Sequence, residues 1–214
     1  MRPPPSIKRT VAFFDGQNLF HHAREAFGYH YPNYSPLALA SRVCAQEGFN
    51  LHEIRFYTGV PSASDNPFWH KFWSAKLLAM SRAGITTFRR TLRYRERTIK
   101  ISDGIEYSTV IGEEKGIDVR IAIDVMHMVR KGQLDVALLF SQDQDFSEVA
   151  DEGREVAREQ GRWIKIASAF PFSATASNKR GINKTDWIKI NRALYDACID
   201  RRDYRPKDAS SSGQ

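Results

Sequence analysis

The chain has 214 residues, of which 42% are hydrophobic and 27% charged, with a formal net charge of +7 and a pI near 9.5. This composition is typical of one globular domain with a full core, and it excludes a fibrous or wholly disordered chain. The positive charge fits an anionic partner, nucleic acid or an acidic membrane surface, and it equally fits a basic protein that is merely soluble.

The cysteine content indicates a reducing compartment. Only Cys44 and Cys198 are present, far apart and without a CxxC pattern, which excludes a disulfide framework and a zinc knuckle. No stretch approaches the roughly 18 apolar residues of a membrane span, and the apolar run at 11–14 is too short for a signal peptide. We therefore expect a cytoplasmic protein.

The first half of the chain alternates between strand and helix patterns. After a segment at 1–8 that is predicted to be disordered, the apolar run at 11–14 predicts a buried strand. Ser35 before a proline, and Asn66 before another, mark two helix starts. The predicted elements are strands over 11–14, 51–58 and 85–88, and helices over 19–27, 35–46 and 66–82.

The helix over 66–82 carries aromatic residues at helical spacing. Phe68, Phe72, Trp73 and Met80 recur along one side of it. That pattern indicates a face packed into the core, with a stacking platform for nucleic-acid bases as the alternative.

An insertion is predicted at 89–111, where two strand-like runs flank Asp103-Gly104. Asp-Gly between such runs is a strong signal for an antiparallel β-hairpin. If the first arm is extended, four arginines share one face and can bind phosphates, or they protect an exposed edge by charge. These arginines are Arg89, Arg93, Arg95 and Arg97.

The second half continues the alternation and completes one domain over 9–200. The predicted elements are helices over 117–130, 146–160 and 185–199, strands over 136–140 and 163–167, a loop over 173–183, and a disordered tail over 201–214. This order predicts an α/β fold with three layers, in which helices cover both faces of a mostly parallel sheet. In such sheets, ligands bind at the carboxyl ends of the strands.

Acidic residues stand where those strand ends are expected. Asp15 closes the first strand, Asp143 and Asp145 follow the strand over 136–140, and Asp118 opens the helix before it. Carboxylates gathered this closely repel one another, and a divalent cation such as Mg²⁺ or Mn²⁺ relieves the repulsion. Such ions activate water and stabilise charge on a phosphoryl group.

Each acid also has a simpler explanation. Asp15 would make a turn, Asp118 would complement the helix dipole, and Asp145 would cap the next helix. Asp124 ranks below the other acids because it is predicted to lie off the apolar stripe of its helix, where an ion pair with Arg120 would serve.

Several motifs occur together in a specific order. Their sequences are Phe13-Phe14-Asp15-Gly16-Gln17-Asn18-Leu19, Lys115-Gly116-Ile117-Asp118-Val119 with Ala122-Ile123-Asp124, Ser141-Gln142-Asp143-Gln144-Asp145-Phe146, and Thr185-Asp186-Trp187-Ile188. Over about residues 9 to 190 the chain resembles the NYN family of PIN-like nucleases, the last motif being similar to the closing helix of that family. One departure is Gln142, which stands where the family usually has glycine.

The resemblance implies a Rossmann-like parallel sheet, an acidic metal site and RNA as substrate. Matched by motif, the site residues are Asp15, Asp118, Asp143 and Asp145. Asn18 lies beside them and is expected to cap the first helix, to point its amide at the metal or its water, or to do both. The expected function is a ribonuclease that depends on Mg²⁺ or Mn²⁺ and acts on single-stranded or structured RNA.

Other functions are compatible with the sequence. The main alternative is a regulatory module of the same fold that binds RNA or protein and cuts weakly or not at all. A phosphatase of the haloacid dehalogenase type is disfavoured because Gln17 occupies the position of its second aspartate. A dinucleotide-binding oxidoreductase is disfavoured because no glycine-rich turn follows the first strand. Self-association as a homodimer is left open, and no membrane partner is expected.

Overall fold

The structure is a computed structural model that describes residues 3–100, 106–113 and 116–206. The strands are β1 (Arg9–Asp15), β2 (Asn50–Val60), β3 (Thr86–Thr91), β4 (Arg93–Lys100), β5 (Glu106–Glu113), β6 (Val136–Phe140), β7 (Lys165–Pro171) and β8 (Asp186–Ile190). The helices are α1 (Gly16–Phe27), α2 (Pro36–Glu47), α3 (Pro67–Arg82), α4 (Ile117–Arg130), α5 (Ser147–Glu159) and α6 (Arg192–Asp196), with a 3₁₀ turn at Gln144–Phe146.

Six strands form one parallel sheet in the order β3-β2-β1-β6-β7-β8. The chain runs outward from β1 to β3, returns to β6 beside β1, and then runs outward to β8. This order confirms the predicted three-layer, Rossmann-like α/β fold. The chain adds strands towards one edge of the sheet after β1 and towards the other edge from β6 onward. The crevice at the carboxyl ends of β1 and β6 is therefore the expected ligand position.

The central strands are buried on both faces, which explains their continuous apolar sequences. In β1, Ala12 and Phe14 point into the core beneath α1, α2 and α3, whereas Val11 and Phe13 point into the core beneath α4 and α5. Phe14 pairs in register with Phe140 of β6, and their rings stack with centroids 4.0 Å apart. These contacts hold the ends of β1 and β6 side by side.

Two predicted helix starts are confirmed by their caps. The side chain of Ser35 accepts a hydrogen bond from the Ala38 N–H at the start of α2. The side chain of Asn66 accepts one from the Trp69 N–H at the start of α3. In both helices a proline occupies the first turn, where its missing N–H costs nothing.

The predicted final helix over 185–199 is wrong. Asp186–Ile190 is the strand β8, which pairs with β7, and only Arg192–Asp196 is helical. Ile188 and Ile190 are buried while Trp187 and Lys189 are exposed, a period of two that is typical of a strand. The similarity of this segment to a closing helix was therefore misleading. The strand β7 also begins and ends later than the predicted 163–167.

Strands β4 and β5 form a separate antiparallel pair, from Arg93 opposite Glu113 to Lys100 opposite Glu106. The expected turn at 103–104 lies outside the described residues, so the inserted hairpin over 89–111 stays a prediction. Arg89 belongs to β3, at the edge of the parallel sheet. It is thus in a different sheet from the arginines of β4, and the single extended arm that was expected is interrupted at Leu92.

Disorder was predicted at both termini, over 1–8 and 201–214. Residues 1–2 and 207–214 of these segments lie outside the described part. Before that point, Tyr204 packs edge-on against Phe72, with ring centroids 6.1 Å apart, and its hydroxyl donates to Asp200 at 2.7 Å. None of the helices in the described part combines the length and the apolar character that a membrane span requires.

Candidate active site

Asp15 is both the last residue of β1 and the N-cap of α1. Its carboxylate accepts the Asn18 N–H at 3.1 Å. Gly16 follows because the chain passes very close to β2: a Cβ there would lie 2.7 Å from the Phe56 ring and 2.9 Å from the Tyr57 carbonyl oxygen. Gly16 is the first residue of the helix, so the explanation of Asp15 as a turn residue is wrong.

Two hydrogen-bonded links join the end of β1 to the loop after β6. The Ser141 hydroxyl donates to Asp15 Oδ2 at 3.4 Å and accepts the Asp143 N–H at 3.1 Å. The Asn18 side-chain oxygen accepts the Gln142 N–H at 2.9 Å. The expectation that Asn18 caps α1 is wrong, because Asp15 is the cap and Asn18 connects the two loops.

Asp143 and Asp145 have different environments. Asp143 is half-buried and its carboxylate accepts the Asp145 N–H at 3.0 Å, so it caps the 3₁₀ turn. Asp145 is exposed, and α5 has no side-chain cap. The simpler explanation of Asp145 as a helix cap is therefore wrong, since α5 starts without a side-chain cap and the 3₁₀ turn before it is capped by Asp143.

Asp118 approaches the same crevice from the other face of the sheet. It lies in the first turn of α4 and is half-buried. The helix starts at Gly116 with a φ of 77°, a conformation that favours glycine, and without a side-chain cap. A carboxylate in the first turn complements the helix dipole, so this simpler role and a role in the site are compatible.

Asp15 is a buried acid that faces other acids. Its exposed fraction is 8%. Burial raises the pKa of Asp15 to about 6, and the negative charges of Asp143 and Asp118 add to the rise against the hydrogen bonds from Asn18 and Ser141. The structure therefore brings Asp118 and Asp143 within electrostatic range of Asp15.

Asp124 is also buried, with an exposed fraction of 9%, so its predicted place off the buried face of α4 is wrong. It accepts the Tyr57 hydroxyl at 2.8 Å and Arg120 Nε at 3.0 Å, and Arg55 Nη1 lies 3.6 Å away. The expected ion pair with Arg120 is confirmed. Two cations balance this carboxylate, which makes it part of the packing between α4 and β2.

Two glutamines anchor the loop after β7 to the loop after β6. Gln142 is buried and its Nε2 donates to the Arg180 carbonyl oxygen at 2.7 Å. Gln144 donates to the Gly181 carbonyl oxygen at 3.1 Å and accepts the Asn183 N–H at 3.1 Å. The side chain of Gln142, which stands where the family usually has glycine, is thus directed into the protein.

Arg90 is a cationic residue near the site that the sequence reasoning missed. Its guanidinium lies 5.7 Å from the Phe88 ring centroid, and a Cβ on Gly116 would come within 2.8 Å of its Nη1. It therefore approaches the start of α4, two residues before Asp118. Arg89 is exposed, and the side chains of 93–100 lie outside the described part.

His22 is a second residue near the acids that the sequence reasoning missed. It is one helical turn after Asn18 and half-buried. Burial lowers the pKa of His22, while the charges of Glu25 and Asp143 oppose that shift. Its spacing of four residues from Asn18 is the signal that identifies it.

The donor set fits a hydrated hard cation better than a closed metal cage. Within the described residues, no three His, Cys, Asp or Glu side chains form a group that would hold a metal ion by themselves. Mg²⁺ prefers oxygen ligands, keeps several of its waters and is usually held by one or two carboxylates. Asp15 beside Asp143 and Asp118 satisfies that requirement.

A family model and solved structures are similar to this chain over most of its length. The model of the NYN domain matches residues 9–183. A protein of unknown function from Vibrio parahaemolyticus is similar in structure, with a TM-score of 0.50 and 16% identity over 89% of this chain and 98% of that one. MurG of Acinetobacter baumannii has a TM-score of 0.32 and 11% identity, over 85% of this chain and 45% of that one. A search of curated proteins found no match.

Proposed function

Because the chain belongs to the NYN domain family, we propose that it is a ribonuclease that hydrolyses RNA phosphodiester bonds with Mg²⁺ or Mn²⁺. NYN domains are PIN-like and generally ribonucleases, so membership supports a hydrolase at a coarse level. The observation that carries the finer proposal is Asp15. It is a buried carboxylate that faces two other carboxylates and, within the described residues, forms no ion pair with lysine or arginine.

The proposed ligands of the ion are Asp15, Asp118, Asp143 and Asp145, directly or through its waters. Buried carboxylates without cations are costly, and a bound cation offsets that cost. When bound, the ion supplies an activated water and stabilises the charge that builds on the phosphoryl oxygens. Asp145 is the ligand that the geometry supports least, because it is exposed.

The other residues bind and position. Asn18 is a positioning residue, because its hydrogen bond to the Gln142 N–H sets the distance between the β1 and β6 loops. Arg89, Arg93, Arg95 and Arg97 are proposed to bind phosphates of the RNA backbone, and Arg90 joins them because it approaches the start of α4. The net charge of +7 favours an anionic substrate.

Cleavage of labelled single-stranded RNA tests the proposal. The purified protein is assayed with Mn²⁺, with Mg²⁺ and with EDTA, beside Asp143→Asn and the control Asp186→Asn, which neutralises an exposed aspartate of β8. We expect metal-dependent cleavage that is lost in Asp143→Asn and kept in Asp186→Asn. RNA binding without cleavage by the wild-type protein would contradict the proposal and favour the binding module.

Two further expectations accompany the proposal. The cytoplasm remains the expected location, and both cysteines are buried free thiols, which suits a reducing compartment. A homodimer remains an open expectation.

A further inference from the structure

A cavity of about 260 Å³ lies at the carboxyl ends of β1, β2 and β3. Its lining includes three aromatic side chains, Phe20 from α1 and Trp69 and Trp73 from α3. We propose that it binds one unstacked nucleobase of the RNA strand. This inference rests on the proposed function, because the base in the cavity would belong to the nucleotide next to the phosphate that is cleaved.

The walls of the cavity are fixed aromatic surfaces. Trp73 is buried, and Trp69 is half-buried with its ring edge-to-face against Phe72 at 5.2 Å and 76°. Phe20 is partly exposed and contacts His21, with ring centroids 5.6 Å apart. Aromatic rings held in this way provide faces on which any base stacks.

In the pattern predicted for α3, Phe72, Trp73 and Met80 are buried in the core, whereas Phe68 is exposed and its predicted core position is wrong. The cavity is lined by Trp73 and by Trp69, which was not part of that pattern.

Polar groups complete the cavity with one acceptor and one donor. Gln17 donates its Nε2 to the Gly59 carbonyl oxygen at 3.2 Å, and Asn66 uses its Oδ1 to cap α3. Within the described residues, the remaining Gln17 oxygen and Asn66 amide nitrogen have no hydrogen-bond partner. Carboxamides beside aromatic faces suit the edge and the faces of an unpaired base.

The position of the cavity connects it with the phosphate-binding groups. Gln17 is two residues after Asp15, and Leu92, which also lines the cavity, precedes the arginines of β4. An RNA strand that places a phosphate at Asp15 therefore has an adjacent base within reach of the cavity. The volume lies just below the roughly 300 Å³ at which small-molecule sites begin, so it suits one ring system. Because a paired base must first leave its stack, unpaired RNA is the preferred substrate.

The test measures binding in EDTA, so that cleavage does not interfere. Fluorescence anisotropy gives the Kd of the full chain for a labelled single-stranded RNA and for a ribose-phosphate oligomer of equal length that lacks bases. We expect Trp69→Ala to raise the Kd for RNA about 5- to 150-fold and to leave the Kd for the base-free oligomer unchanged. Phe20→Ala should act in the same direction, and it lies outside the two core clusters.

Leu78→Ala is the matched control, since Leu78 is exposed on α3 and does not line the cavity. It should bind both ligands as the wild-type protein does. Equal losses for RNA and for the base-free oligomer, or unchanged RNA binding in both Phe20→Ala and Trp69→Ala, would overturn the inference. Base-dependent binding without any metal-dependent cleavage would support the base-binding cavity and refute the ribonuclease proposal. Metal-dependent cleavage without base-dependent binding would support the ribonuclease proposal and refute the base-binding cavity.

Discussion

Asp15 and Asp124 are two buried aspartates with opposite surroundings. Asp124 accepts the Tyr57 hydroxyl and lies beside the guanidinium groups of Arg55 and Arg120. Asp15 receives only the Asn18 N–H and the Ser141 hydroxyl within the described residues, and its charged neighbours are other acids. The exposed fractions of the two residues are nearly the same, 8% and 9%.

The difference separates a structural acid from a candidate functional one. A buried charge that is paired and hydrogen-bonded holds elements together, as Asp124 does between α4 and β2. A buried acid among like charges costs stability, and its persistence at the switch point of the sheet marks it as a candidate functional group. The comparison predicts that neutralising each acid will have opposite consequences for activity and for folding.

The largest expected effect is on catalysis. Asp15→Asn should lower kcat/KM for RNA cleavage about 1000-fold, because it removes a proposed ligand of the ion. A loss of that size is similar to the loss of one oxyanion-stabilising donor in other enzymes. Asp124→Asn should leave the kcat/KM of the folded protein close to that of the wild type. Single-turnover cleavage with Mn²⁺ measures both, and similar losses in the two variants would break the comparison.

The second effect is on folding. Asp124→Asn leaves Arg120 without its carboxylate and leaves Arg55 with Glu53 alone, and we expect the free energy of unfolding to fall by about 2–4 kcal/mol. The estimate stays below the upper end of the buried-pair range because the Arg120 side chain is 43% exposed. Urea unfolding followed by circular dichroism measures the change. A loss below about 0.5 kcal/mol, the size of an ordinary surface effect, would show that Asp124 is not structural.

The strand-end acids could be predicted because the relevant signals are local. One apolar run ends in Asp15, and another is followed by Asp143. In a doubly wound fold these two strands are parallel neighbours, so both acids lie at the same edge of the sheet. The helix starts at Ser35 and Asn66 were equally local, since each cap lies within three residues of the N–H it accepts.

The features that the sequence did not predict depend on contacts between distant segments. The burial of Asp124 depends on Tyr57 and Arg55 of β2, which no spacing within α4 reveals. The strand β8 was taken for a helix because its alternation is only five residues long and its pairing with β7 is tertiary. Arg90 was missed because its approach to Gly116 depends on how β3 packs beside α4.

A third prediction concerns Asn18, which links the β1 and β6 loops. Asn18→Ala leaves the Gln142 N–H without its acceptor and loosens the spacing of Asp15 and Asp143. We expect kcat to fall about 10-fold, as for a supporting residue of a metal site, with KM for RNA unchanged. Steady-state kinetics separates the two constants. A rise in KM at constant kcat would instead assign Asn18 to RNA binding.

The smallest expected effect is a gain in stability. The pKa of Asp15 is raised to about 6 in the folded protein, so in EDTA the folded state holds this proton more tightly than the unfolded state does. The free energy of unfolding should therefore decline as pH rises from about 4 to 6 and stay lower above that range. Asp15→Asn should remove the decline and add about 1–2 kcal/mol at pH 7, allowing for relaxation around the charge.

Urea unfolding at a series of pH values measures this effect. The variant Asp186→Asn is the control, because it neutralises an exposed aspartate. A wild-type curve without the decline, or an Asp15→Asn protein less stable than the wild type at pH 7, would contradict the assigned environment of Asp15.

The account depends most on whether the edge at Asp15 holds a divalent cation that the Asp124 cluster does not hold. Electron paramagnetic resonance of Mn²⁺, titrated into the wild-type protein, Asp15→Asn and Asp124→Asn, measures bound and free ion directly. The account predicts saturable binding in the wild type and in folded Asp124→Asn, with a loss of at least about 10-fold in affinity in Asp15→Asn. Equal Mn²⁺ binding by all three proteins, or none by the wild type, would contradict it.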